Sequence, residues 1–170
     1  MSAPFHSCSN DTAYVTIVTS STGPVNKKIY LRGSKICKDP NAQIYQGFAE
    51  TVPAATSADL SSAIANLKQN EAITLGQLEQ LGHCFPLTTK AELYSGSIAR
   101  TKEFFHHSNF VGWLLLDVDT KDLPPEIMDK MAGRSVFDVL LSVMPELLLT
   151  EALVRASSSS AAVAPGDATR

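Results

Sequence analysis

Two carboxylates, Asp117 and Asp119, directly follow the most apolar short run of the chain, residues 113–116. On a β-strand, residues two positions apart project from the same face, so a strand over this run would present both acids together at its carboxyl end. Carboxylate oxygens are the ligands that Mg²⁺ and Mn²⁺ prefer. Two such metals about 4 Å apart are a common device for in-line nucleotidyl transfer. The spacing therefore predicts a divalent-metal site at Asp117 and Asp119.

Other interpretations of the two acids stay open at this point. The strand could end in a polar turn in which Asp117 caps the backbone or pairs with Lys121. Haloacid-dehalogenase phosphohydrolases use the first Asp of D-x-D-x-[TV] as a nucleophile, but here Lys121 stands where Thr or Val belongs. The D-x-D glycosyltransferases share the metal chemistry, and nothing else in the chain favours a sugar-nucleotide site.

A second polar cluster follows a predicted strand over residues 147–155. It contains a cation, hydroxyl groups and backbone N–H groups, a combination that suits a triphosphate. Its members are Arg155, Ser157, Ser158, Ser159 and Ser160. Taken alone, the serine run also fits a solvated linker, and residues 157–170 are typical of a disordered tail.

The two clusters together resemble the archaeo-eukaryotic primase superfamily, above all the primase-polymerase domains of plasmid and phage replication proteins. Residues 114–119, with the sequence LLLDVD, match its first motif, hhhDhD. Residues 155–160, RASSSS, lie in the place of its second motif, which is Ser-x-His or a Ser/Thr-rich strand end after Arg. The resemblance spans residues 10–162.

The resemblance implies an α+β fold with a primase-polymerase-like mixed sheet and flanking helices. Residues 1–156 would be the N-terminal part of that domain, and residues 157–170 its Ser-rich nucleotide segment. The implied activity is a nucleotidyltransferase that builds a primer on a DNA template from nucleoside triphosphates. Asp117 and Asp119 would hold Mg²⁺ or Mn²⁺, and Arg155 with the serines would hold the incoming nucleotide. A replicative helicase would be present in the same chain or as a partner.

Two departures from the superfamily pattern limit what this chain is expected to do alone. The serine run contains no histidine, and a third acidic motif on a later strand is missing. Asp167 lies too close to the serines and has no apolar strand before it. We therefore expect a partial or inactive fragment of a longer primase, with little or no primer synthesis. The alternative is a non-catalytic module that binds nucleic acid or a replication partner.

Composition indicates an ordinary globular chain. Its 170 residues are 44% hydrophobic and 18% charged, which predicts one domain. A formal net charge of −3 means that any nucleic-acid contact must come from a local patch. Three widely spaced cysteines, the absence of a signal-peptide pattern and the lack of a long apolar run predict a cytoplasmic protein without membrane contact.

Two local basic patches could contact a template. Arg100 and Lys102, close to Phe104 and Phe105, combine cations for phosphate with aromatic rings that stack on bases. These phenylalanines could equally belong to the core, with the charges solvated. A second, smaller cluster contains Lys27, Lys28 and Arg32.

The elements that would position these residues follow from local patterns. Alternating β-branched residues predict strands over 13–20 and 26–33, paired as a hairpin, and an extended segment over 43–52. Apolar spacing predicts a helix over 56–69 and a weaker one over 70–83, and residues 95–109 read as a loop with a helical turn packed onto the core. Helices begin at Pro124–Pro125 and after Ser135, the second breaking near Pro145. Apolar strands over 113–118 and 147–155 would be parallel neighbours or separated by another strand. This order predicts a mixed α/β or α+β domain.

Overall fold

The computed structural model describes residues 12–25, 28–39, 43–107, 111–116, 124–150 and 152–154. The described residues fall into two units, of which the first runs to Trp113 and the second begins at Leu114. No helix in these ranges is long and apolar enough to cross a membrane.

The first unit is built from strands with one helix between them. Its described strands are β1 (Tyr14–Ser20), β2 (Lys28–Arg32), β3 (Lys35–Asp39), β4 (Gly47–Pro53), β5 (Glu71–Thr74), β6 (Cys84–Thr88) and β7 (Ile98–Ala99). The helix α1 (Ser57–Ala65) lies between β4 and β5. Five strands form a sheet in the order β5-β1-β4-β6-β7, in which all pairs are antiparallel except β6 with β7. The α+β class is therefore confirmed.

The predicted hairpin of residues 13–20 and 26–33 is wrong, although both segments form strands. β2 pairs with β3 in a separate two-stranded sheet, and β3 lies between the segments for which extended structure was predicted. The chain reverses at Gly33, whose φ of 66° lies in the left-handed region that glycine tolerates best. Both edges of β1 are taken by β4 and β5, so β2 has no place beside it.

The predicted helix over residues 70–83 is also wrong, because Glu71–Thr74 is strand β5. Lys68 and Glu71 hold the turn that leads into β5. The Glu71 carboxylate accepts hydrogen bonds from the Lys68 backbone N–H at 2.9 Å and from Lys68 Nζ at 3.1 Å. The hydrogen bond from the Lys68 backbone is the main cause that holds the pKa of Glu71 below its ordinary value, and the Lys68 ammonium group adds to it. Pairing with the free edge of β1 outweighs the weak helical spacing.

The predicted helix after Thr56 is confirmed as α1. Thr56 is its N-cap: the Thr56 hydroxyl accepts from the Asp59 backbone N–H, and the Asp59 carboxylate accepts from the Thr56 backbone N–H. This reciprocal capping box satisfies two N–H groups that the first helical turn leaves free. Leu60 is the buried residue of the helix.

One cluster of buried apolar residues lies on one face of the five-stranded sheet, and Val15, on the other face of β1, is also fully buried. The strand register places Ala72, Val18, Ala49 and Phe85 in one row across β5, β1, β4 and β6. Because opposite residues of antiparallel strands share a face, this row forms a continuous apolar strip. The other members of the core cluster are Val25, Ile44, Leu78, Leu87 and Ile98, with Phe104 and Phe105 packed against them.

The apolar run before the two acids is not the buried strand that we predicted. Residues 112–116 have no regular secondary structure, and Leu114, Leu115 and Leu116 are 73%, 74% and 43% exposed. Only Trp113 is half-buried, and its indole N–H donates to the Ala54 carbonyl at 2.8 Å. A strand requires a ladder partner, and none of the described strands pairs with this segment.

The described part of the second unit contains two α-helices and a 3₁₀ turn. The predicted helices are confirmed as α2 (Pro125–Met131) and α3 (Val136–Val143), the latter capped by Ser135 with Asp138 in a capping box. The Ser135 hydroxyl and backbone N–H hold the pKa of Asp138 below its ordinary value. The strand predicted over 147–155 is wrong, because a 3₁₀ turn over Pro145–Leu149 occupies its start and residues 152–154 are irregular.

Gly47 is expected to be intolerant of a side chain. A Cβ atom at this position would lie 1.8 Å from the backbone oxygen of Thr19, on the strand paired with it. Gly47→Ala should therefore lower the free energy of unfolding by about 3 kcal/mol, because backbone atoms must shift to relieve the overlap. Gly112→Ala is the matched control, since its Cβ would meet nothing within 4 Å. Urea unfolding monitored by the fluorescence of Trp113, the one tryptophan of the chain, measures both variants. Equal stability of the two variants would contradict the close strand approach.

Candidate functional site

The residues predicted to form a metal-nucleotide site lie outside the described part of the chain. These are Asp117, Asp119, Arg155, Ser157, Ser158, Ser159 and Ser160. Their roles stay predictions. Among the residues that the structure does describe, no group of three His, Cys, Asp or Glu side chains could hold a metal ion.

The predicted template contacts, Arg100, Lys102 and Phe104, lie in a tight turn that follows β7. The Thr101 N–H donates to the Ala99 carbonyl at 2.8 Å, and the Thr101 carbonyl accepts from the N–H groups of Phe104 at 3.1 Å and Phe105 at 3.0 Å. Both phenylalanines are half-buried and pack against the core. The helical turn expected within residues 95–109 and its packing onto the core are thus confirmed for the described part, to His107, but Ile98–Ala99 is a strand rather than loop.

Arg100 and Lys102 border one open cleft of about 240 Å³. Its walls come from β1, β5, the segment before β4 and the turn after β7. The lining residues are Val18, Ile44, Ala72, Ile73, Thr74, Arg100, Thr101, Lys102 and Phe105. The cleft therefore combines two cations and two threonine hydroxyls with an apolar floor.

No acid in the described part of the chain forms an ion pair with the cations of this cleft. Arg100 and Lys102 are exposed, and neither takes part in an ion pair within the described ranges. The nearest acid in sequence, Glu103, pairs with Lys90 at 3.6 Å instead. Two unpaired cations beside an apolar surface suit a ligand that carries both an anionic group and a flat apolar one.

Phe105, rather than Phe104, shares the cleft with the two cations. Phe104 lines a second cleft of about 190 Å³, whose walls include Glu79 and Glu103. Two acids make that second cleft a poor place for phosphate. The stacking role that we predicted for Phe104 stays a prediction, and the geometry favours its neighbour.

Sequence reasoning missed the β5 side of the cleft, Ile73 and Thr74. These residues lay in a segment that we expected to be helical. The available signal was local: two adjacent β-branched residues shortly before Gly76 are more typical of a strand than of a helix.

A buried chain of hydrogen bonds holds the segment that leads out of β5. The Thr16 hydroxyl donates to the Gly76 carbonyl at 2.6 Å, so its single proton is used there. The Thr51 hydroxyl must then be the donor in the 2.8 Å contact between Thr51 and Thr16. Thr51 Oγ1 in turn accepts the Leu78 N–H at 3.0 Å. We call this chain, Leu78 to Thr51 to Thr16 to Gly76, the threonine relay.

The threonine relay positions the turn that carries the cations. Gln77, between the two ends of the relay, exchanges backbone hydrogen bonds with His106 at 2.7 and 2.8 Å. Gly76 lets the turn approach closely, because a Cβ there would lie 3.0 Å from the Cβ of Phe105. The cleft wall formed by Phe105 is therefore fixed by buried strand residues.

Comparisons of this chain with models of protein families, with characterised proteins and with solved structures find no match. The resemblance to the primase superfamily accordingly rests on the residue patterns at 114–119 and 155–160.

Removal of the Thr51 hydroxyl should destabilise the first unit. Thr51→Val keeps the side-chain shape but leaves the buried Leu78 N–H without an acceptor and Thr16 without a donor. We expect the free energy of unfolding to fall by about 2 kcal/mol, the cost of an unsatisfied buried group. Thr19→Val is the control, because the Thr19 hydroxyl forms no side-chain hydrogen bond with other described residues. Urea unfolding compares the two, and a loss of stability in the control alone would contradict the relay.

Proposed function

We propose that this chain binds single-stranded nucleic acid, and that Arg100 and Lys102 contact its phosphates at the cleft beside Phe105. The observation that carries this proposal is a pair of cations, without an ion-pair partner among the described residues, on one cleft with an apolar floor. Lysine and arginine that neutralise phosphates supply most of the affinity of non-specific nucleic-acid binding. Aromatic surfaces beside them add stacking that tolerates any base.

The size and openness of the cleft favour one unit of a polymer over a free small molecule. Pockets for drug-sized ligands have volumes of about 300–1,000 Å³ and enclose most of the ligand. The cleft here has about 240 Å³ and is open to solvent. A single nucleotide of a longer strand could place its phosphate between the cations and its base over Phe105, while the rest of the strand continues across the surface.

The hydroxyls of Thr74 and Thr101 complete the polar side of the proposed site. Both line the same cleft as the two cations. The Thr101 hydroxyl donates its proton to Glu103 Oε2 at 3.4 Å, so it can accept from the edge of a base, whereas the Thr74 hydroxyl can also donate to a phosphate oxygen. Such contacts position a strand without selecting its sequence.

Substitution of the two cations should weaken binding and its salt dependence together. For single strands, the slope of log K against log salt changes by about 0.7 for each phosphate contact. Arg100→Ala/Lys102→Ala should therefore reduce affinity for an oligothymidylate about tenfold and flatten that slope by about 1.4. Fluorescence anisotropy of the labelled strand at several salt concentrations measures both quantities.

The control for this experiment is Lys68→Ala/Arg134→Ala, which removes the same charge from exposed side chains outside the cleft. If control and cleft variants lose affinity equally, the contribution is general charge and the proposed site is wrong. An unchanged salt slope in the cleft variant would also contradict it.

Primase-type nucleotidyl transfer is the second candidate function. It is favoured by the spacing of Asp117 and Asp119 and by the position of Arg155 before the serines. Residues 114–116 are exposed and irregular, so the described residues contain no buried strand that leads to the two acids. This weakens one argument for nucleotidyl transfer. Mg²⁺ or Mn²⁺ would supply the charge stabilisation for that reaction when bound.

Metal titration tests this second candidate. If Asp117 and Asp119 share a divalent cation, calorimetric titration with Mn²⁺ should show one class of site that both Asp117→Asn and Asp119→Asn abolish. Asp122→Asn, a nearby acid in the same stretch, should leave the site intact. Mn²⁺ binding that survives Asp117→Asn would contradict the proposal. Phosphatase activity that depends on Asp117 would favour a phosphohydrolase instead.

A further inference from the structure

Positive charge is concentrated in residues 27–39, the stretch of sequence that includes β2 and β3. Residues 27–39 contain five cations (Lys27, Lys28, Arg32, Lys35 and Lys38) and one acid, Asp39. The whole chain has 14 cations and 17 acids, so the remainder holds nine cations and sixteen acids. The hairpin is therefore a local basic element in a chain that is otherwise acidic.

The strand register places two of these cations directly opposite each other. Arg32 pairs with Lys35 across a two-residue turn, and Tyr30 pairs with Cys37. Opposite residues of an antiparallel pair share a face, and so do residues two positions apart on one strand. Arg32, Lys35 and Tyr30 therefore lie on one face, which we call the basic face of the hairpin.

The pairing of Arg32 with Lys35 costs stability in the free protein. Like charges that lie directly opposite on neighbouring strands repel each other. Both side chains are exposed, and neither belongs to an ion pair among the described residues. A hairpin of two strands is only marginally stable in water, so even a weak repulsion is a large part of its stability. An anionic ligand across the basic face would remove the repulsion.

The side chain of Tyr30 indicates which anion fits. It is 52% exposed and shares the basic face with the two cations. An aromatic ring beside two cations suits a base next to phosphates. An anionic lipid surface would instead be met by apolar side chains among the cations, but Leu31 and Ile36 lie on the opposite face of the hairpin.

We infer that the β2–β3 hairpin is a second contact surface for single-stranded nucleic acid. Arg32 and Lys35 bind phosphates of the strand, and Tyr30 stacks on an unpaired base. This inference rests on the proposed function and extends the footprint of the ligand to an element outside the five-stranded sheet. The surface is independent of the cleft, so its residues can be tested separately.

The test compares two double variants and two variants of Tyr30 on one long labelled oligothymidylate by fluorescence anisotropy. Arg32→Ala/Lys35→Ala should reduce affinity about tenfold and flatten the salt slope by about 1.4, the value for two phosphate contacts. Lys68→Ala/Arg134→Ala is the charge-matched control and should change the slope little. Tyr30→Ala should weaken binding severalfold with an unchanged slope, whereas Tyr30→Phe should retain it because the ring is kept.

A stability measurement separates a binding role from a structural one. Because the two cations repel each other, Arg32→Ala/Lys35→Ala should melt no earlier than the unsubstituted chain, even though binding is weakened. Wild-type affinity in this variant, with loss only in Arg100→Ala/Lys102→Ala, would overturn the hairpin inference and leave the cleft proposal standing. The reverse result would overturn the cleft and support the hairpin. Binding to phosphatidylserine vesicles that depends on Arg32 and Lys35, without oligonucleotide binding, would overturn the inference in favour of a lipid surface.

Discussion

The threonine relay is the constraint on which the first unit depends. Thr16 and Thr51 are fully buried polar residues in the middle of an apolar sheet, and they are tolerated there because each hydroxyl has both a donor and an acceptor. The relay joins the two central strands to the segment from Gly76 to Leu78. That segment then binds His106 through the backbone of Gln77. A polar network with every member satisfied thus specifies where an otherwise irregular stretch of chain must lie.

The exposed cations of the first unit take no part in the threonine relay. The turn with Arg100 and Lys102 is anchored on its inner side by half-buried phenylalanines, so its outer side can expose cations without loss of packing. The hairpin of β2 and β3 forms its own small sheet and exposes Arg32 and Lys35 beside its turn. Both elements give local positive charge to a chain whose formal net charge is −3. Long-range attraction of a polyanion by such a chain is weak, so close contacts at these two elements would have to supply the affinity.

Local signals in the sequence were sufficient for some elements and insufficient for others. The strand at Tyr14–Ser20 and the helix α1 were predicted correctly, because β-branched alternation and apolar spacing are signals that act within a few residues. Pairing partners depend on which sheet edges are free, so the partner of β2 and the strand at Glu71–Thr74 were predicted wrongly. Burial is difficult to predict for the same reason, as the exposed run from Leu114 to Leu116 shows. Apolar composition indicates a preference for the interior, but a segment is buried only where another surface packs against it. Arg100 and Lys102 were singled out from their types as template contacts, which stays a prediction, whereas the place of Thr74 on the same cleft depends on the pairing of β5 with β1.

The shortness of the outer strands has a consequence for self-association. β5 has four residues and β7 has two, and these strands form the two edges of the five-stranded sheet. A long, regular edge presents a row of unpaired backbone groups on which another chain can add a strand, which is a common route to aggregation. Edge strands of four and two residues present only a few consecutive unpaired backbone groups. The chain turns away after each of these strands, so neither strand extends further. The turn after β5 is held by the threonine relay, and the turn after β7 is held by the packing of Phe104 and Phe105.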